Sequence, residues 1–146
     1  MRSIAALAAS VALLVGCAAG SGPQVTEARV GQPTGPNAAL YFTVVGNQGE
    51  GDRLVTAHTD AAEAAELHET TMGDDGSMRM RPVEALDLPA DGTLILEPGG
   101  YHMMLINAAR LEVGDTVDVT LVWETAGDMT IVAEVVEPGD TTGESP

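Results

Sequence analysis

The sequence has no lysine and one cysteine, Cys17, and its 146 residues include only four aromatic side chains: Tyr41, Phe42, Tyr101 and Trp123. A single thiol excludes an intrachain disulfide, so the folded part must be held by its core. It also leaves no thiolate set for a zinc site. Six arginines face 22 acidic residues, and the net charge of −16 excludes attraction to nucleic acid or to anionic lipid headgroups. The acidity is spread along the chain, as expected of a well-solvated surface that resists aggregation. No apolar run is long enough for a stable membrane span. Also missing are a Ser/His/Asp set, a carboxylate pair with a plausible pocket and a phosphate loop, so binding is expected rather than catalysis.

The beginning of the chain reads as an export signal. Arg2 supplies a positive start, and residues 4–15 form a short run of apolar and small side chains ending at Gly16. Leu14-Val15-Gly16-Cys17 resembles the lipobox of bacterial lipoproteins, which implies diacylglyceryl attachment to the Cys17 thiol and cleavage before it. Lipidation would also remove an otherwise reactive lone thiol, and several acyl chains make membrane attachment stable. The expected organisation is a lipoprotein signal peptide over residues 1–16, a lipidated cysteine and flexible tether over 17–24, one folded domain over 25–137 and a frayed tail over 138–146. The tether would reach on the order of 25 Å from the membrane. The protein is expected outside the cytoplasm, on the outer face of the cytoplasmic membrane or elsewhere in the periplasm or cell envelope.

Between tether and tail the punctuation is that of an all-β protein. Runs rich in Val, Thr, Leu and Ile alternate with Gly, Pro, Asn and Asp clusters. Strands are predicted over 25–30, 39–45, 53–57, 65–71, 77–83, 93–96, 101–107, 116–124 and 129–136. Val117, Val119, Leu121 and Trp123 alternate with polar residues, giving one buried face. Residues 60–66 read as a brief turn, which Asp60 and Glu63 could cap helically, leading into a strand. Many short strands at this spacing predict a β-sandwich or barrel.

Methionine is unevenly placed. Apart from Met1 and Met129, the residues are Met72, Met78, Met80, Met103 and Met104, in a region bracketed by His68 and His102. Core filler would be scattered among all the strands. A thioether is polarizable and uncharged, which suits Cu(I). Outside the cytoplasm paired thiolates tend to oxidise, whereas thioethers cannot form disulfides. Positions two apart on a strand share a face, so His102 and Met104 project together and Met103 points oppositely, into the core. Met78 and Met80 likewise share a face, with Arg79 and Arg81 on the other. The Pro98-Gly99-Gly100 turn places His102 at the start of a strand, near a sandwich end.

These segments resemble a known family. Glu66-Leu67-His68-Glu69, Met78-Arg79-Met80-Arg81-Pro82-Val83 and Pro98-Gly99-Gly100-Tyr101-His102-Met103-Met104-Leu105 look like the periplasmic copper chaperones called PCuAC. Residues 36–42 and 52–55 resemble its early strands. The resemblance implies a cupredoxin-like Greek-key β-sandwich, with Cu(I) held by His68, Met80, His102 and Met104. The 21 residues between Met80 and His102 match the family spacing. Between His68 and Met80 there are 11 residues, one more than is common. The common spacing would put Arg79 in the site, and a guanidinium cannot ligate. The extra residue is expected in the turn over 72–76, with Met78 and Met72 as substitutes if the register differs. The first strand also lacks the family's frequent tryptophan.

The resemblance further implies delivery of Cu(I) to the CuA centre of cytochrome c oxidase, often with a Sco-type thiol protein. Copper storage or detoxification at the cell surface would use the same site without a recipient. A structural β-sandwich lipoprotein, in which the methionines merely pack, would bind no copper. A blue-copper electron carrier would need a cysteine ligand, and Cys17 is expected to be the anchor.

Overall fold

The computed structural model describes residues 22–46 and 50–140; the expected signal peptide, Cys17 and most of the expected tether lie outside the described residues. Ten strands follow in order: β1 (Gln24–Gly31), β2 (Ala38–Val45), β3 (Asp52–His58), β4 (Ala64–Met72), β5 (Met78–Pro82), β6 (Leu86–Leu88), β7 (Thr93–Leu96), β8 (Tyr101–Ile106), β9 (Thr116–Trp123) and β10 (Gly127–Val136). No helix occurs among the described residues.

Hydrogen bonding links the strands in the order β5-β4-β8-β2-β1-β10-β9-β3-β6, with β7 also on β2. β1 joins the two arms, pairing antiparallel with β2 and parallel with β10. Both arms bury one face in a single core. Ala38, Leu40, Phe42 and Val44 come from β2, Met103 and Leu105 from β8, and Leu67 from β4. Val117, Val119, Leu121 and Trp123 of β9 meet them, with Ala133 and Val135 of β10. Period-two alternation in each strand is what allows two sheet faces to close over one core. The buried set of β9 is the one its sequence alternation predicts, and Met103 is fully buried as its position predicts.

The brief turn expected to lead into a strand is present: residues 60–63 are turn or bend, without a helical turn, and Ala64 opens β4. Thr59 supplies the local bonds instead, its Oγ1 accepting from Ala61 N–H at 3.2 Å and donating to the Asp118 carbonyl at 2.8 Å. β6 was not expected, because three residues are too few to register as an alternation, yet Leu86 and Leu88 are buried and the strand pairs with β3. The Pro98-Gly99-Gly100 turn does not mark a sandwich end. β7 pairs with residues 42–45 of β2 and β8 with residues 38–40, so the turn is a bulge between two strands that run along the same side of β2. Gly99 adopts φ +83° there, a conformation glycine takes without steric cost. Where the family's tryptophan is missing, β1 carries an irregularity between Thr26 and Arg29, with Glu27 at φ +56°. Val30 alone of β1 lies in the core, with Val25 and Ala28 packed against it.

Candidate metal centre

The register of β4 with β8 sets His68 directly opposite His102, and Glu66 opposite Met104. Directly opposed residues project to the same side of a sheet. The preceding pair, Leu67 and Met103, enters the core, so the two histidines lie on the outer face of this arm. β5 adds Pro82 opposite His68 and Met80 opposite Thr70, one step along that face. Arg79 pairs with Thr71 and Arg81 with Glu69, which puts both arginines on the other side. Met80, not Arg79, therefore shares the His68 face, and the five-residue turn from Gly73 to Ser77 absorbs the length between β4 and β5. Gly73 N–H donates to the Ser77 carbonyl at 2.7 Å, and Gly76 N–H to the Gly73 carbonyl at 2.9 Å.

The two imidazole rings are 5.6 Å apart between centroids and inclined at 54°. An ion bonded at about 2 Å to one nitrogen of each ring fits that separation. His102 is buried although it faces outward. The bulge before it leaves Tyr41 between the two ladders of β2, and the tyrosine ring stands 6.3 Å from His102. Burial pushes the His102 pKa below the usual imidazole value; a hydrogen bond with the Gly100 backbone opposes this, and repulsion from His68 adds to it. The residue is thus held as a neutral imidazole, the form that ligates metals. Burial also raises the pKa of Tyr41, keeping its phenol protonated.

His68 shows how a donor atom is left free. Its Nε2 lies 3.0 Å from Glu66 Oε2, while its Nδ1 is buried without a hydrogen-bond partner. If Nε2–H donates to the carboxylate, the neutral ring carries its lone pair on Nδ1. A carboxylate that fixes the tautomer of a ligating histidine is a recurrent arrangement around metals. Among buried side-chain atoms in the described residues, the only other one without a partner is Trp123 Nε1, a donor that cannot ligate. In the sequence Glu66 stands out only as part of the Glu66-Leu67-His68-Glu69 motif. Its position two residues before His68, on the same strand face, is the signal that could have marked its role.

The thioethers complete the surroundings. Met104 is half-buried on β8 beside His102, and Met80 is exposed on β5. Residues diagonal to one another across two strands are about 7–8 Å apart, which places Met80 within side-chain reach of His68. Met78 and Met72 face each other farther along the hairpin; Met78 lies about 13 Å along the strand from Pro82, the residue opposite His68. Among the described residues no group of three or more His, Cys, Asp or Glu side chains could hold a metal ion. The methionine sulfurs are the soft donors on the face of the histidine pair.

The fold and this constellation define a class, the all-β PCuAC-type domain with a cupredoxin-like sandwich. Over residues 23–135 the chain matches the family model described as "Putative lipoprotein LpqE-like", and it belongs to that family. A relative in Leifsonia xyli subsp. xyli (strain CTCB07), "Putative lipoprotein Lxx21020", is 36% identical over 102 residues, covering 68% of this chain and 61% of the relative. The match thus spans less than two thirds of that relative's length. Among solved structures, the copper-bound PCuAC domain from PmoF2 is 26% identical with a TM-score of 0.67, over 80% of this chain and 93% of that one. The apo PCuAC domain from PmoF1 is 28% identical with a TM-score of 0.68, over 80% and 94%. The solution structure of CuI-DR1885 from Deinococcus radiodurans is 32% identical with a TM-score of 0.59, over 77% and 76%.

Proposed function

We propose that this protein is a Cu(I)-binding metallochaperone anchored outside the cytoplasmic membrane through Cys17. His68, Met80, His102 and Met104 hold the ion, and the recipient is the CuA centre of cytochrome c oxidase, reached with a Sco-type thiol partner. The observation that carries this reading is the His68–His102 cross-strand pair, with a buried, unpartnered Nδ1 on the face shared with two thioethers. Its likeness to copper-bound PCuAC domains supports the metal. Two neutral imidazoles and two thioethers form a soft, uncharged donor set that favours Cu(I) over harder cations. Because Met80 is exposed, a docked partner can replace it first and draw the ion away by successive ligand exchange.

A deletion strain tests delivery. Loss of oxidase activity that is restored by added copper supports it. Copper sensitivity with normal oxidase activity would instead assign the site to storage or detoxification. Absence of stoichiometric Cu(I) binding by the purified chain would leave a structural lipoprotein.

A further inference from the structure

The β4–β5 hairpin carries more sulfur than a four-ligand site uses. Met72 and Met78 are directly opposed across the two strands, and Met80 lies two residues from Met78 on the same face. They are 72%, 63% and 58% exposed, and none joins the core or the partly buried residues packed on it. Packing therefore gives no reason for methionine at any of the three. The other exposed large hydrophobics are valines and one isoleucine on other elements, so the sulfur is gathered on this hairpin.

Opposed side chains have Cβ atoms about 4.5–5.5 Å apart, and diagonal neighbours about 7–8 Å. An unbranched thioether side chain bends easily enough for three such residues to meet at one soft ion. The two arginines of β5 project to the opposite face and do not repel a cation here. In the turn beyond, Asp75 Oδ1 accepts from Ser77 N–H at 3.0 Å and from the Ser77 hydroxyl; carboxylate oxygens are hard donors, which leaves the thioethers as the soft donors of this face.

We propose that Met72 and Met78 form an outer Cu(I) site near the hairpin end, with Met80 as a third thioether shared with the inner site. The inference rests on the Cu(I)-binding reading above. It adds a route: the ion is first taken by Met72 and Met78, passes to Met80, and then reaches His68, His102 and Met104. At each step a new bond from the copper to sulfur or nitrogen replaces an existing bond to sulfur. The ion stays Cu(I), and because the donors are neutral no proton or electron is released.

The test is an anaerobic titration of the full chain, labelled with 13C at the methionine methyls and the histidine rings, with Cu(I) added as its acetonitrile complex. The first equivalent is expected to move Met80, Met104 and the His68 and His102 rings, and the second to move Met72 and Met78. A Met72→Leu/Met78→Leu variant, which conserves volume, should bind one equivalent instead of two. Its first-equivalent affinity should stay within about threefold of wild type. The inference is overturned if the second equivalent leaves Met72 and Met78 unmoved, or if they shift together with His102 in the first. If the first equivalent moves neither His102 nor Met104, the copper reading itself fails, and the outer site with it.

Discussion

Two polar side chains, Asp52 and His102, are buried among the described residues, and their surroundings differ. Asp52, at the start of β3, closes the turn between β9 and β10. Its Oδ1 accepts from the backbone N–H groups of Arg53 at 2.8 Å and Thr125 at 2.9 Å, and its Oδ2 from that of Ala126 at 3.0 Å. Burial alone would raise its pKa, but the backbone bonds from Thr125, Arg53 and Ala126 together outweigh that and hold it below the usual carboxylate value. His102 has a backbone bond at Gly100, but the facing His68 keeps an unpartnered Nδ1, and the thioether of Met104 lies on the same strand face. A buried group with all its bonds made stabilises the fold. An open donor atom on a rigid strand pair is available to a ligand.

Exchanging the two places in experiment should separate these roles. The largest effect is expected at the open end. His102→Ala should weaken Cu(I) binding by about 100-fold or more, measured by anaerobic chelator competition, while circular dichroism still reports the folded sheet. Next in size, Asp52→Ala should leave the copper affinity unchanged and destabilise the fold by about 2–3 kcal/mol in urea unfolding. The wild-type contribution is present above the ordinary carboxylate value of 3.8 and is lost as pH falls through the lower folded-state value. Asp52→Asn should therefore flatten the loss of stability in acid.

Smaller effects sharpen the contrast within the metal face. Glu66→Ala, which removes the acceptor for His68 Nε2, should lower Cu(I) affinity about tenfold. Glu66→Gln should restore most of that, because the amide oxygen still accepts. Smallest of all, Arg81→Ala breaks the ion pair with Glu69. Arg81 is two-thirds exposed, so the change in stability should stay within about 0.5 kcal/mol and copper binding should not move.

Much of this contrast was legible in the sequence on one side and hidden on the other. Strand alternation was enough to put Met103 in the core and His102 with Met104 on the opposite face, because side-chain direction in a strand follows from position alone. The pairing of His68 with His102 was not readable that way. It depends on the register of β4 against β8, which is set by tertiary packing between segments more than thirty residues apart. The placement of Met80 opposite Thr70 likewise required the turn from Gly73 to Ser77 to be seen. Asp52 is legible only as part of an early-strand motif and not as a buried cap, since its partners Thr125 and Ala126 are more than seventy residues away. β6 was too short to register, and the bulge at Pro98-Gly99-Gly100 looked like an end because glycine-rich turns usually are.

X-ray absorption at the copper edge, on the full chain loaded anaerobically with one equivalent of Cu(I), tests the central claim most directly. The account predicts a mixed shell, with nitrogen at about 2.0 Å and sulfur at about 2.3 Å. The nitrogen component should disappear in His68→Ala/His102→Ala, and the sulfur component in Met80→Leu/Met104→Leu. A shell without sulfur, or one that neither double variant alters, would contradict it.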